Sequence, residues 1–248
     1  MVPLVHITFD ALSGVDGAAR FAFGATTALA SVSGPIAARL AAEHPVRATL
    51  DLHVRPLSAV PGTPEKHTSV ALKGILERAC ILAQHPRSLI QVVVQALSAP
   101  RDGDGDGDGD GDGDGQADLL LAAEINACSL ALLNAGSIPL RGVVCAIAVA
   151  QSTSTTPPHF VTASSGPPTE YTGCFAFLFG VDHTSGQGTG AIPPSKMIWT
   201  NYRARPGNTF SVAALVEAEK VALEGAATVW TKMKESLGAS SLAGDGLS

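Results

Sequence analysis

Seven consecutive Asp-Gly pairs, from Asp102 to Gly115, form the densest group of possible metal ligands in this sequence. A calcium-binding solenoid needs apolar residues at fixed intervals, and an EF-hand needs a glutamate at the twelfth loop position; the run has neither. Glycine maximises backbone freedom, and neighbouring aspartates repel one another. We therefore expect a solvated, disordered insertion over residues 101–116, with weak cation binding as the alternative.

The other residues capable of metal or nucleophilic chemistry are scattered. Four cysteines without a CxxC pair lie in apolar stretches, which predicts free buried thiols in a reducing compartment rather than zinc ligands or disulfides. These are Cys80, Cys128, Cys145 and Cys174. His53 alternates with apolar residues and is expected to face outward from a strand. No GxxxxGK[ST], HExxH or GxSxG motif occurs, so we expect no metal and no cofactor.

The acidic repeat also dominates the charge balance. The formal net charge is −6, and without the seven repeat aspartates the rest of the chain would carry +1. A nearly neutral body predicts that any nucleic-acid contact depends on a local basic patch. The composition, 46% hydrophobic over 248 residues, is typical of a globular protein with a sizeable core. We expect neither a membrane-spanning segment nor a signal peptide.

A helix, a stop and a buried strand form the centre of the predicted structure. Asp118 can cap the helix start, and apolar residues then recur at helical spacing to Ala135 and in most other positions. Such a helix belongs between layers rather than on a surface. Gly136 suits a left-handed C-cap, and Pro139 prevents continuation. The run from Val143 to Val149 is typical of a strand covered on both faces.

The remaining pattern alternates strands and helices. Short alternating runs up to Gly34-Pro35 predict a β-meander, and residues 48–55 predict a half-buried strand. Thr63-Pro64-Glu65 predicts a helix start, with a strand following over residues 90–97. Thr209 is expected to cap a last helix, which continues to Leu237. The order predicts an α/β (α+β) fold, a single domain over residues 1–237 with a disordered tail over 238–248.

Several of these segments resemble the RNase PH family. DGAARF (16–21) and GATTALASVSGP (24–35) are similar to its N-terminal strands, and HPRSL (85–89) to its GRSLR segment. The residues from EINA (124–127) through NAG (134–136) to LRG (140–142) are similar to its central helix and the strand that follows. The likeness covers about residues 10–237, and it is weak in the Asp-Gly run and over 152–210. It implies mixed sheets packed with helices in the RNase PH-like fold.

The likeness fails where active family members hold phosphate and magnesium. Their GGTR segment before the central helix binds inorganic phosphate, and Leu120 and Leu121 stand where its threonine and arginine would be. Two aspartates after the central strand bind magnesium in active members, but residues 152–173 contain only one acid, Glu170. Arg87 matches the family arginine that handles RNA and phosphate, so the resemblance implies an RNA contact there, and a solvated residue at a strand start stays the alternative.

Taken with these losses, the resemblance implies a non-catalytic subunit of the eukaryotic exosome ring. Its expected partners are other RNase PH-like ring subunits, RNA-binding cap subunits, a hydrolytic 3′–5′ exoribonuclease and RNA, in the nucleus, nucleolus and cytoplasm. Two alternatives stay open: a phosphorolytic exoribonuclease with displaced ligands, and a homo-oligomer that acts alone by hydrolysis.

Overall fold

The computed structural model describes residues 3–10, 12–58, 60–99, 113–153, 156–162, 169–180 and 192–244. Ten strands and three helices follow one another along the described chain. The strands are β1 (Val5–Phe9), β2 (Gly17–Phe23), β3 (Thr26–Ala37), β4 (Thr49–Arg55), β5 (Ser88–Ser98), β6 (Gly142–Gln151), β7 (His159–Phe160), β8 (Tyr171–Gly180), β9 (Ser195–Thr200) and β10 (Arg203–Ala204). The helices are α1 (Thr63–Ala79), α2 (Gly113–Ala135) and α3 (Val212–Gly244).

The strands form two sheets. The first has the order β1-β2-β3-β5-β4, and all neighbours are antiparallel except β4 and β5, which run parallel. The second has the order β10-β8-β6-β7, with β9 also paired to β8. A parallel pair needs a crossover connection, and α1 provides it between β4 and β5. The mixed sheets and packed helices confirm the predicted fold class.

Helix α2 lies between the sheets and contacts β2 and β3 of the first and β6 and β8 of the second. This position explains why its sequence is apolar nearly all round. The Asn126 amide binds the backbone of Ala146 in β6 through both a donated and an accepted hydrogen bond, of 2.9 and 2.7 Å. Gly136, at a φ of 63°, ends the helix as predicted.

Helix α2 over Gly115–Ala135 is long and apolar enough that its length and composition alone would allow it to cross a membrane. However, 72% of the most apolar 18-residue stretch of this helix is buried inside the protein. Buried side chains from both sheets and all three helices form one continuous core around it. The helix therefore has the burial of a core element.

Several predicted boundaries are wrong. Helix α2 begins at Gly113, so disorder is not found over 113–116, and residues 101–112 lie outside the described ranges. Helix α3 continues to Gly244, past the predicted end at Leu237, and residues 245–248 lie outside those ranges. Strand β3 continues through Gly34-Pro35 with an irregular register that keeps its pairing to β5.

The predicted helix caps also differ from those observed. Gly62 precedes α1, and its N–H donates to the Glu65 carboxylate at 2.6 Å. At the start of α3, the Ser211 hydroxyl accepts the Ala214 N–H at 3.4 Å, whereas the Thr209 carbonyl accepts the Tyr171 hydroxyl. The predicted caps, Thr63 and Thr209, each lie within two residues of the observed ones, Gly62 and Ser211. Free N–H groups at the two helix starts are instead satisfied by the Glu65 carboxylate and by the Ser211 hydroxyl.

Candidate functional site

Leu120 and Leu121 lie in the wall of an open groove of about 380 Å³. The groove is bounded by the ends of the parallel strands β4 and β5, the chain that follows β4, the first turns of α1 and the N-terminal half of α2. Its lining residues are Val54, Pro56, Leu57, Ser58, Pro64, Glu65, Thr68, Ala96, Ala117, Leu120, Leu121 and Glu124. No lysine, arginine or histidine is among them.

Glu124 is the unexpected member of this groove. The residue is only 4% exposed, and its carboxyl group has no hydrogen-bond or ion-pair partner among the described residues. Burial, with a smaller contribution from the nearby Glu65 carboxylate, raises the pKa of Glu124 to about 8. The groove therefore combines apolar walls with two acidic groups, which is unfavourable for an anionic ligand.

Asp118 lies one helical turn and a half before Glu124, but its carboxylate points towards the second sheet. It accepts hydrogen bonds from Asn201 Nδ2 at 2.7 Å, from Arg203 Nη1 at 3.0 and 3.1 Å, and from Thr172 Oγ1 at 3.0 Å. Burial raises the pKa of Asp118, and the Arg203 guanidinium and these hydrogen bonds oppose that shift. The predicted helix cap is wrong: Asp118 lies inside α2 and joins it to the segment around β10.

Arg87 lies at the opposite end of the first sheet. It precedes the start of β5, whereas the groove is at the end of that strand, near Ala96. Nine residues of strand separate the two positions, which corresponds to roughly 30 Å. The structure therefore does not bring Arg87 together with Leu120 and Leu121.

The Arg87 side chain is 72% exposed, and its Nε lies 3.3 Å from a Glu43 carboxylate oxygen. Its backbone has a φ of 60°, which is uncommon for a residue other than glycine. Hydrogen bonds to the connection between β3 and β4 hold it there, with the Arg87 N–H donating to His44 O and the Ala38 N–H donating to Arg87 O. That connection also carries exposed Arg39 and Arg47. We call Arg39, Arg47 and Arg87 the arginine patch.

The remaining candidates are structural. All four cysteines are free and buried, as predicted, and burial raises the pKa of each thiol. The His53 side chain is half-exposed beside Asp51, with 3.1 Å between Nε2 and Oδ2. Within the described ranges, no three His, Cys, Asp or Glu side chains are grouped so that they could hold a metal ion. Glu170 donates its N–H to Gln151 O, which ties it to the end of β6.

Residues 4–137 match the RNase PH family, "3′ exoribonuclease family, domain 1". The chain belongs to the RNase PH family. The matched region contains the whole first sheet and α2, which accounts for the likeness of the N-terminal strands and the central helix. The second sheet and α3 follow after this region.

Named relatives within the RNase PH family are exosome proteins. The chain is 38% identical over 136 residues to "Exosome complex component rrp46" of Schizosaccharomyces pombe, covering 55% of this chain and 53% of that protein. It is 33% identical over 140 residues to "Exosome complex exonuclease RRP46 homolog" of Oryza sativa, covering 56% and 51%. The chain thus spans about half the length of these curated relatives. These names agree with the ring-subunit type of the RNase PH family to which the sequence motifs point.

The crystal structure of rice Rrp46 has the same fold, with a TM-score of 0.73, 22% identity and coverage of 96% of both chains. This likeness extends the RNase PH fold over the second sheet and α3, where the sequence signal is weak. The groove residue Glu124 and the ion pair of Asp118 with Arg203 were missed as site features. Glu124 could have been found, because it is the only charged residue between Leu119 and Leu133.

Proposed function

We propose that this chain is a non-catalytic subunit of the RNA exosome core ring, which supports the barrel and lines the path of RNA. The proposed absence of catalysis is inferred from one observation, the composition of the groove beside α2. Leu120 and Leu121 occupy the positions that the family resemblance assigns to phosphate binding, and the buried acid Glu124 lies beside them. An apolar wall and carboxyl groups cannot stabilise a phosphate nucleophile.

The arginine patch supports the role in the RNA path. Arginine binds phosphate through a bidentate fork, and exposed arginines on one surface provide affinity without sequence preference. Arg87 has one acidic partner, Glu43, so Arg39 and Arg47 leave an excess of positive charge on this surface. We assign the RNA contact of this subunit to Arg87 and its two neighbours.

The rest of the proposal follows the names of the relatives and the family resemblance. The partners are other RNase PH-like subunits in a hexameric ring, RNA-binding cap subunits and a hydrolytic 3′–5′ exoribonuclease that performs the cleavage. The work of the complex is 3′–5′ processing and degradation of RNA, including ribosomal RNA processing and messenger RNA decay. The complex acts in the nucleus, the nucleolus and the cytoplasm, and a membrane is not among its partners.

Native mass spectrometry of the tagged chain, purified from its own cells, tests this assembly. The expected result is one large complex that contains several other RNase PH-like chains and a hydrolytic ribonuclease. A homo-oligomer of this chain alone would contradict the proposal. Sedimentation of the pure recombinant chain then measures whether it self-associates without partners.

The second candidate function is a 3′–5′ exoribonuclease, phosphorolytic or hydrolytic, because the rice relative is named an exonuclease. The pure chain is incubated with a 3′-labelled single-stranded RNA, with and without inorganic phosphate. We expect no release of nucleoside diphosphates or monophosphates. Phosphate-dependent release of diphosphates would instead establish phosphorolysis, and phosphate-independent release of monophosphates would establish hydrolysis.

A further inference from the structure

The Glu124 carboxyl is a buried polar group that the proposed function leaves unused. It lines the groove, is 4% exposed and has no hydrogen-bond or ion-pair partner among the described residues. Thr26 Oγ1, and not a Glu124 oxygen, is the fully enclosed side-chain atom without a partner among the described residues, so the Glu124 carboxyl opens onto the groove and water is its alternative partner. A carboxyl with so little access to water still costs free energy, most of all when it is ionised. A ligand that brings a positive charge and hydrogen-bond donors to this carboxyl would remove that cost.

The charged residues around the groove favour a cationic ligand. Glu65 faces Glu124 from α1, while β4 and β5 contribute Val54 and Ala96, which are apolar. The next titratable group along α2 is the buried Cys128 thiol. Since the described residues place no basic side chain in the groove lining, they offer an anionic ligand no counter-charge there. The buried Glu124 carboxyl and the partly exposed Glu65 carboxylate beside it would together favour a guanidinium or an ammonium group.

The apolar mouth of the groove indicates the rest of the ligand. Leu57 lines the mouth and is 44% exposed, and Val60 in the same connection is 77% exposed. Arginine and lysine side chains carry an apolar stem below a charged head. We infer that this groove receives an arginine or lysine side chain from a neighbouring protein chain, with its head group on Glu124 and flanking apolar residues on Leu57. This inference goes beyond the proposed function and does not depend on RNA binding.

Three probes test the chemistry on the full chain by NMR titration. The first is agmatine, a small alkylguanidinium. The second is the peptide acetyl-Leu-Ala-Arg-Ala-Leu-amide, and the third is the same peptide with neutral citrulline in place of arginine. We expect the arginine peptide to bind at least about tenfold more tightly than either other probe. Equal affinity of agmatine and the arginine peptide would show a small-cation site and overturn the protein-chain occupant.

The pH dependence tests whether Glu124 is the group that binds. The cation requires the ionised carboxylate, and the pKa of Glu124 in the empty groove is about 8. The affinity for the arginine peptide should therefore rise roughly 50-fold between pH 6 and pH 8 and then level off. Among the described residues Glu65 is the charged group that raises the pKa of Glu124, so the titration is repeated in Glu65→Gln, where the rise should begin at lower pH. An affinity that does not change with pH would overturn the inference.

Matched variants complete the test. Glu124→Gln should abolish the preference for arginine over citrulline, and Glu224→Gln, at an exposed position on α3, should leave it unchanged. Leu57→Ser should weaken binding of the peptide but not of agmatine, and because Leu57 is exposed the change should leave the fold intact. Undiminished preference in Glu124→Gln would overturn the inference.

Discussion

Glu124 makes the stability of the folded chain depend on pH. The unfolded carboxyl ionises near its ordinary pKa of 4.5, whereas in the folded protein the proton stays until about pH 8. Between these values the folded state binds more protons than the unfolded state, so stability falls as pH rises. We expect this single group to remove up to about 1.4 kcal/mol per pH unit within that window.

Urea unfolding at pH 5 and at pH 7.5 measures this effect. Glu124→Gln removes the ionisable group, so the variant should lose less stability than the parent between the two values and should be the more stable protein at pH 7.5. Glu224→Gln, at an exposed position, should follow the parent at both values. Identical pH slopes in the parent and in Glu124→Gln would contradict the assigned burial. The expected stability of the variant also means that its loss of arginine binding would not reflect unfolding.

Asp118 differs from Glu124, because its buried carboxylate accepts hydrogen bonds from three side chains. Asp118→Ala removes the acceptor of Thr172, Asn201 and Arg203. Breaking a buried ion pair is costly, but the Arg203 side chain is 37% exposed and can be hydrated. We expect a loss on the order of 2–3 kcal/mol in the free energy of unfolding.

The control for Asp118→Ala is Asp51→Ala, which removes a half-exposed partner of His53. That change should cost less than about 0.5 kcal/mol by the same urea measurement, because exposed pairs contribute little. Equal costs in the two variants would show that the Asp118 cluster does not hold α2 to the second sheet.

The sequence could reveal Glu124 but not the role of Asp118. An acid within a long apolar helix is visible in a single stretch of residues. The partners of Asp118 lie 54 to 85 positions further along the chain, where no local pattern connects them. The same limit applies to Arg87, for which the family resemblance suggested an RNA contact but whose distance from the groove depends on strand pairing.

At the scale of the elements, α2 and β2 approach each other so closely that glycine is required. A Cβ added at Gly17 would lie 2.4 Å from both Ala131 O and Ala135 N, which are backbone atoms that cannot move independently. Gly17→Ala must therefore separate β2 from α2, and we expect it to destabilise the protein by about 2–3 kcal/mol or more. Thermal unfolding followed by circular dichroism measures the loss.

Gly74 in α1 is the matched control for this prediction. A Cβ at Gly74 would meet no atom within 4 Å, and its backbone is helical. Gly74→Ala should raise stability by about 0.5–1 kcal/mol, because alanine loses less conformational entropy in a helix. If both alanine variants changed stability in the same direction, the close approach at Gly17 would not be the cause.

The elements themselves were more predictable than their ends. Alternation identified β4, a continuous apolar run identified β6, and helical spacing within an almost wholly apolar stretch identified α2. The start of α2 at Gly113 was missed, since Asp-Gly pairs favour disorder locally, whereas in the fold Gly115 lies beside Thr172 of β8, a contact that no local pattern reveals. Residues of the NAG and LRG motifs are structural: Asn134 donates to Ala18 O, and Arg141 donates its N–H to Ala79 O.

At the scale of the whole molecule, the first sheet separates two surfaces of opposite charge. The arginine patch lies at the start of β5, and the acidic groove lies at its end, roughly 30 Å away. This distance is several times the Debye length at physiological salt, so neither surface changes the local potential at the other. A fold that kept a charged surface at each end of one sheet could bind RNA and a protein partner independently.

A substitution in one of these surfaces should therefore leave binding at the other unchanged. In the purified native complex, Arg87→Ala should weaken the retention of single-stranded RNA about two- to fivefold, and more steeply at low salt, because one phosphate contact is lost. The subunit composition of the complex in native mass spectrometry should stay unchanged in this variant.

Glu124→Gln should leave RNA retention unchanged and abolish the arginine preference of the groove. Since sites more than about 10 Å apart without shared partners contribute additively, the double variant should show both single effects and nothing further. A loss of subunits in Arg87→Ala would instead show that this arginine serves assembly, and the RNA path would then need another contact.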